Sequence, residues 1–302
     1  MSSKTFFALG TASQVPTRER NHNGYFIRWE NQGFLFDPGE GTQRQMIFAG
    51  VSASSITKIF ITHFHGDHCL GLPGILQRLS LDKIPHTVEL YYPAIGKKYI
   101  ENLKNASIYH NVARITEHPI FEPGVIFRSK KTVIETRKLD HSVECWGYRI
   151  KEVDSVSMDA EKLEKLGIRG KEVGRLIEEK SLQVGKKLIK LEDVSRPKKG
   201  LSAAFIMDTR MCDGANELAE EADFLICEST YLSSETSEAV ANGHLTAKQA
   251  ARIARNASAK QLVLTHFSQR YPKTEDFLAE AKKIFPDVVA ARDGDKIDIV
   301  KK

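Results

Sequence analysis

The segment Thr62–Cys69, THFHGDHC, constrains this chain more than any other. It places His63, His65, Asp67 and His68 within six residues, at the end of the apolar run Lys58–Thr62 (KIFIT). A short run of this kind reads as a buried strand. Imidazole and carboxylate are ligand types of zinc. Residues i and i+2 of an extended segment lie on the same side, so His63 and His65 can share one metal ion. The turn at Gly66 lets the chain double back, and Asp67 and His68 then point together at a second ion. A single buried histidine is commonly just a hydrogen-bonded core residue. Four ligand-type side chains in six positions rarely arise from packing alone.

Further candidate ligands sit at the ends of other apolar runs. His141 follows the strand ending at Leu139–Asp140, Asp208 follows AAFIM, and His266 follows QLVLT. Together they complete two zinc sites. A carboxylate such as Asp208 can bridge two ions held roughly 3.5–4 Å apart.

The surrounding pattern supplies the scaffold. Thr5–Leu9, Tyr25–Trp29 and Gly33–Asp37 read as a meander, and Thr132–Leu139 with Trp146–Lys151 as a hairpin. Leu201–Met207, Asp223–Cys227 and Gln261–Thr265 are further strands. Leu70–Leu81, Thr246–Asn256 and Thr274–Ile284 have helical spacing. Strands run together at the start and alternate with helices later, an α/β pattern that predicts helices on both faces of two sheets. With 302 residues, 41% of them hydrophobic, the chain can bury a sizeable core.

One region departs from this pattern. Asp154–Lys199 is charged, with helical pieces at Asp159–Leu166 and Glu172–Lys180. Lys180–Lys199 carries seven Lys/Arg against two acids. It reads as an inserted helical arm, 154–199, within a single domain of 1–302. The net charge of +5 permits an anionic partner without demanding one. The four cysteines, Cys69, Cys145, Cys212 and Cys227, form no C-x-x-C pair. The N-terminus has no signal-like apolar segment, and no run reaches the roughly 20 apolar residues of a membrane span. The expectation is a soluble cytoplasmic protein.

The order H-x-H-x-D-H, then His, Asp and His, resembles the metallo-β-lactamase superfamily. Within it the chain resembles the ribonuclease Z family over nearly its whole length. The matching segments are Leu9–Asn21 (LGTASQVPTRERN), Leu35–Gln45 (LFDPGEGTQRQ), Thr62–Leu72, Leu139–Ile150 (LDHSVECWGYRI), Asp208–Arg210, Glu228–Thr230, Gly243–Ala251 and Thr265–Tyr271 (THFSQRY). Pro38 stands where the family usually has Cys, Met207 where it has Gly, and Cys227 where it has His. Gly167–Gly174 (GIRGKEVG) occupies the place of the family's Gly-Pro-rich arm signature.

The resemblance implies an αββα four-layer sandwich with an inserted arm that grips tRNA. It implies a zinc-dependent endoribonuclease that removes the 3′ trailer of precursor tRNA, leaving a tRNA 3′-hydroxyl and a 5′-phosphorylated trailer. His63, His65 and His141 would bind one zinc, and Asp67, His68 and His266 the other, with Asp208 bridging. Asp67 would also orient the attacking hydroxide, and His244, oriented by Glu228, would be the proton donor. Arg18, Arg20 and Asn21 would receive the acceptor end of tRNA, and Arg270 is placed to contact phosphate. A homodimer is a further family expectation. The alternatives are another binuclear-zinc phosphodiesterase or small-molecule hydrolase of the same superfamily, and an RNA-binding member without metal.

Overall fold

The computed structural model describes residues 4–302. Among them two seven-stranded mixed sheets face each other. The first sheet runs Lys296–Asp298, Thr5–Gly10, Gly24–Trp29, Gln32–Phe36, Lys58–Phe60, Val88–Pro93 and Ile115–Ile120. Its first four strands are antiparallel neighbours and the rest pair in parallel. The second sheet runs Val288–Ala290, Leu262–Thr265, Phe224–Glu228, Ser202–Ile206, Cys145–Glu152, Thr132–Leu139 and Gly124–Arg128. Here the first four strands are parallel and the remaining pairings antiparallel.

Aromatic side chains fill the space between the sheets. Phe36 stacks on Phe60 at 4.8 Å and meets Phe205 of the other sheet at 4.6 Å. The Tyr148 hydroxyl is fully buried there and donates to the Ile61 carbonyl at 2.6 Å. A buried phenol needs such a partner, and this bond ties one sheet to the other just before the THFHGDHC segment.

Each sheet's outer face is covered by helices, giving four layers. Leu72–Leu81 buries Leu72, Ile75, Leu76 and Leu79, one apolar stripe, against the first sheet. Ala247–Asn256 begins with a reciprocal capping box between Thr246 and Gln249 and lays Ala250, Ala251, Ile253 and Ala254 on the second sheet. No helix among the described residues is long and apolar enough to cross a membrane.

The inserted region, 154–199, is only partly helical. Ala160–Lys165 and Lys171–Glu179 are helices, but the basic tail folds into strands. Ser181–Val184 pairs with Lys187–Lys190, and Ser195–Lys198 returns to pair with Ser155–Met158. The reason is local: Gly185 takes positive φ (59°) in a two-residue turn, while Leu182 and Ile189 point to one face and the lysines to solvent. Leu163, Ile168, Leu176, Leu182, Ile189, Leu191 and Val194 form a small core of their own. The two ends of the insertion meet where the Gly200 amide donates to Asp154 Oδ1 at 2.9 Å.

Candidate metal centre

The predicted ligands come from loops at the strand ends of both sheets. Lys58–Phe60 leads to His63, His65, Asp67 and His68; Thr132–Leu139 to His141; Ser202–Ile206 to Asp208; Leu262–Thr265 to His266. Asp37, Asp208 and His266 each adopt positive φ (43°, 43° and 63°). Non-glycine residues rarely do so, and such conformations cluster at functional sites, where the surroundings hold them. Residues 66–69 form one helical turn with His65 at its N-cap. The reversal expected at Gly66 is therefore helical, with no left-handed glycine.

His63 Nε2 lies 3.0 Å from His65 Nδ1, and His141 Nε2 lies 3.2 Å from that same atom. Asp208 Oδ2 stands 3.6 Å from His63 Nε2 and 3.8 Å from His141 Nε2. On the other side His68 Nε2 is 3.2 Å from Asp67 Oδ2 and 3.3 Å from Asp208 Oδ2. His266 Nε2 is 3.5 Å from Asp67 Oδ2 and 3.1 Å from Asp208 Oδ1. Ligand atoms around a tetrahedral ion with bonds of roughly 2.0–2.1 Å stand a little over 3 Å apart. The ligand atoms of His63, His65, His141 and Asp208 lie within 4.8 Å of one another, as do those of Asp67, His68 and His266, and those of Asp208, His244 and His266.

Partners behind the rings fix what these atoms are. Thr62 Oγ1 donates to Asp37 Oδ2 at 2.7 Å, so at 3.0 Å it can only accept from His63 Nδ1–H. Thr230 Oγ1 donates to Glu228 Oε2 at 2.7 Å and accepts from His266 Nδ1–H at 2.8 Å. His141 Nδ1–H donates to the Gly243 carbonyl at 2.9 Å, and His68 Nδ1–H to Asp37 Oδ2 at 2.9 Å. In neutral rings, every inward Nε2 is then a bare lone pair. Burial holds His63 and His141 below the usual imidazole range, which favours that neutral form. His266 Nε2 and Asp208 Oδ1 are buried without any hydrogen-bond partner. Lone pairs gathered around carboxylates and left unpaired fit a cation, and outer partners of this kind are what orient metal-binding imidazoles.

His244 stands beside this set. Its Nδ1 lies 3.0 Å from Glu228 Oε1 and 4.0 Å from Asp208 Oδ2. Burial alone would lower its pKa; the Glu228 and Asp208 carboxylates outweigh it and lift it to about 9. A cavity of about 360 Å³ opens over these groups and includes His65, Asp67, Asp208, His244, His266 and Arg270 in its lining.

Of the four side chains expected to meet substrate, only Arg270 lines this cavity. Arg20 is buried, and its Nη2 donates to the carbonyls of Ser268 at 3.1 Å and Tyr271 at 2.8 Å. The Asn21 amide donates to the Glu40 carbonyl at 2.8 Å and the His22 carbonyl at 3.1 Å. Both side chains fasten loops to one another. Arg18 is exposed. Arg270 lines the cavity, half-exposed over the Tyr231 ring with Glu235 at 2.9 Å.

Asp37, Thr62, Thr230 and Asn23 were not singled out by the sequence. The Asn23 amide reaches Asp67 Oδ2 at 3.3 Å and His68 Nε2 at 3.1 Å. A signal did exist for three of them: Asp37, Thr62 and Thr230 lie in the segments Leu35–Gln45, Thr62–Leu72 and Glu228–Thr230 that carry the family resemblance.

A profile of the metallo-beta-lactamase superfamily matches residues 17–142. The chain is 50% identical to a ribonuclease Z of Nocardia farcinica, over 99% of either chain. It is 48% identical to one of Salinispora arenicola, over 97% of this chain and 95% of the relative. Its structure is similar to that of human tRNase Z, short form, with a TM-score of 0.72 and 26% identity over 98% and 99% of the two chains.

Proposed function

The chain belongs to the ribonuclease Z family of the metallo-β-lactamase superfamily, and on that premise we propose that it is the endoribonuclease that removes 3′ trailers from precursor tRNA. The observation that carries the reading is a converging set of histidine and aspartate ligand atoms, with Asp208 Oδ1 and His266 Nε2 unpaired within it, beside a carboxylate-backed histidine. We assign His63, His65 and His141 to one zinc, Asp67, His68 and His266 to the other, and Asp208 to both. When bound, the two ions supply a hydroxide from water near neutral pH and neutralise charge on the phosphate oxygens.

Asp67, buried in the lining of the cavity, orients the attacking oxygen. As the new phosphorus–oxygen bond forms, the bond to the ribose 3′-oxygen breaks. That oxygen is a poor leaving group until protonated. His244 keeps its Nδ1–H on Glu228, so its Nε2–H is the proton it can give. The products are a tRNA 3′-hydroxyl and a trailer 5′-phosphate. The ribose 2′-hydroxyl takes no part, so a 2′-deoxy substitution at the cut site leaves cleavage in place and no cyclic phosphate forms. Arg18, Arg270 and the basic insertion are assigned to phosphate and acceptor-end contacts, for which guanidinium geometry is suited.

Two family features complete the reading. Ile47, Phe48 and Leu81 are 66%, 65% and 75% exposed on the first sheet's helical layer, and a second copy of the chain would cover them in a homodimer. The four cysteines are free, which suits the cytoplasm.

Metal-loaded protein incubated with labelled precursor tRNA, a cyclic nucleotide and a β-lactam tests the assignment. Trimmed tRNA with a 3′-hydroxyl end is expected. Turnover of either small substrate with precursor tRNA left uncut would sink it, and loading with zinc or manganese in parallel identifies the metal.

A further inference from the structure

The tripeptide Asp208–Thr209–Arg210 does more than deliver a ligand. The Thr209 amide donates to Glu228 Oε1 at 2.8 Å. Its hydroxyl accepts the Asp140 amide at 3.1 Å. The Arg210 amide donates to the Asp140 carbonyl at 2.8 Å, and its Nη1 reaches Asp140 Oδ1 at 3.2 Å. Its Nε donates to the Val240 carbonyl at 2.7 Å. Val240 lies near the C-terminus of the helix Thr236–Asn242, and His244 hangs directly from that end. The Gly243 amide bonds the Val240 carbonyl at 3.3 Å, and the His244 amide bonds the Ala239 carbonyl at 2.8 Å. Wherever this helix end sits, His244 follows.

We propose that Arg210 is a positioning residue: by bridging Asp140 and Val240 it clamps the helix end carrying His244 against the loop carrying His141. Three observations support this. First, the same helix end is gripped a second time, by His141 Nδ1–H on the Gly243 carbonyl at 2.9 Å. Second, Gly243 has φ +77° and a Cβ there would stand 2.7 Å from His141 Nδ1, so the approach is close and depends on glycine. Third, the guanidinium has no competing assignment, since its bonds all go to these two loops. A planar fork with separate Nε and Nη donors suits a bridge between two acceptors, which a lysine would not span.

The inference rests on the reading of His244 as the acid, and the test separates the two. Arg210→Met, His244→Ala and the double variant are assayed with metal content measured alongside, on precursor tRNA with oxygen or sulfur at the bridging 3′ position. Arg210→Met is expected to lower kcat roughly ten- to a hundredfold, as small misplacements of a catalytic group do, with KM and bound zinc held. The double variant should be no slower than His244→Ala alone. Multiplying effects, or zinc lost with the arginine, would overturn the clamp. The sulfur substrate judges the acid: a His244→Ala defect that persists there overturns that role, whichever way the double variant falls. Should Arg210→Met fold poorly, Asp140→Ala removes the acceptor at the other end of the bridge and leaves the Asp140 backbone bonds in place. It should give a smaller loss in kcat that is likewise absorbed by His244→Ala; a loss that multiplies with it would overturn the clamp.

Discussion

Glu228 Oε1 accepts a hydrogen bond from His244 Nδ1–H at 3.0 Å, and its other oxygen accepts from the Thr230 hydroxyl that backs His266. One buried carboxylate thus serves both the candidate acid and a candidate ligand. His244→Ala is expected to lower kcat by roughly 10²–10⁴, the scale of general acid catalysis, with zinc content unchanged. Glu228→Gln should move kcat the same way by less and also loosen zinc. Single-turnover rates with metal analysis check both; zinc stripped by His244→Ala would make that residue a ligand.

The pH profile has a definite sign. The pKa of His244 lies above the ordinary imidazole value, at about 9, so its donating form persists to about that pH and kcat falls as pH rises through it. Without the Glu228 carboxylate the lift is lost, and the falling limb of Glu228→Gln should shift to lower pH. A limb that stays in place would assign it to another group.

Thr230→Val removes the relay behind His266 with little change in size. Loss of such an outer partner typically weakens metal binding 10–100-fold. Competition with a chromogenic chelator measures this directly. Thr230→Ser should restore affinity; a Ser variant as weak as Val would point to packing.

Arg20 and Arg18 should part company. Arg20→Ala leaves the buried Ser268 carbonyl and the half-buried Tyr271 carbonyl without their donor, and chemical denaturation should register a loss of about 1–3 kcal/mol. Arg18→Ala should leave stability alone and weaken tRNA binding. Equal stability effects would contradict the burial difference.

Deleting 154–199, with Val153 joined to Gly200 by a short linker, should raise KM for precursor tRNA and spare a small phosphodiester. Each lost phosphate contact should flatten the plot of log K against log salt by roughly 0.7–0.9. An unchanged slope would make the insertion a plain surface feature. Asp67→Ala, in contrast, should abolish cleavage and keep tRNA binding.

What the sequence disclosed divides along physical lines. THFHGDHC and the strand-end positions of His141, Asp208 and His266 were legible because ligand chemistry and strand periodicity are local. The relays through Thr62 and Thr230 were not, since a threonine beside a ligand has no marked pattern until the fold sets its partner. The partners of Arg20 were hidden for the same reason: a loop arginine looks identical whether it faces solvent or two carbonyls some 250 positions away in sequence. The basic tail Lys180–Lys199 hid its hairpin because only Leu182 and Ile189 alternate inward, too few to stand out among lysines.

The two donor sets draw residues from both sheets: His63 and His65 meet His141 and Asp208, while Asp67 and His68 meet His266. An ion seated in either set is therefore a rivet through the seam between the halves of the sandwich. Prying the sheets apart would mean releasing it, so occupancy and thermal resistance are linked, and the melting temperature should climb with free metal concentration as ln(1 + [M]/Kd). Chelation would then do more than silence the enzyme; it would remove one fastening between the two halves and leave the rest to the packed interior and the hydrogen bonds that cross it.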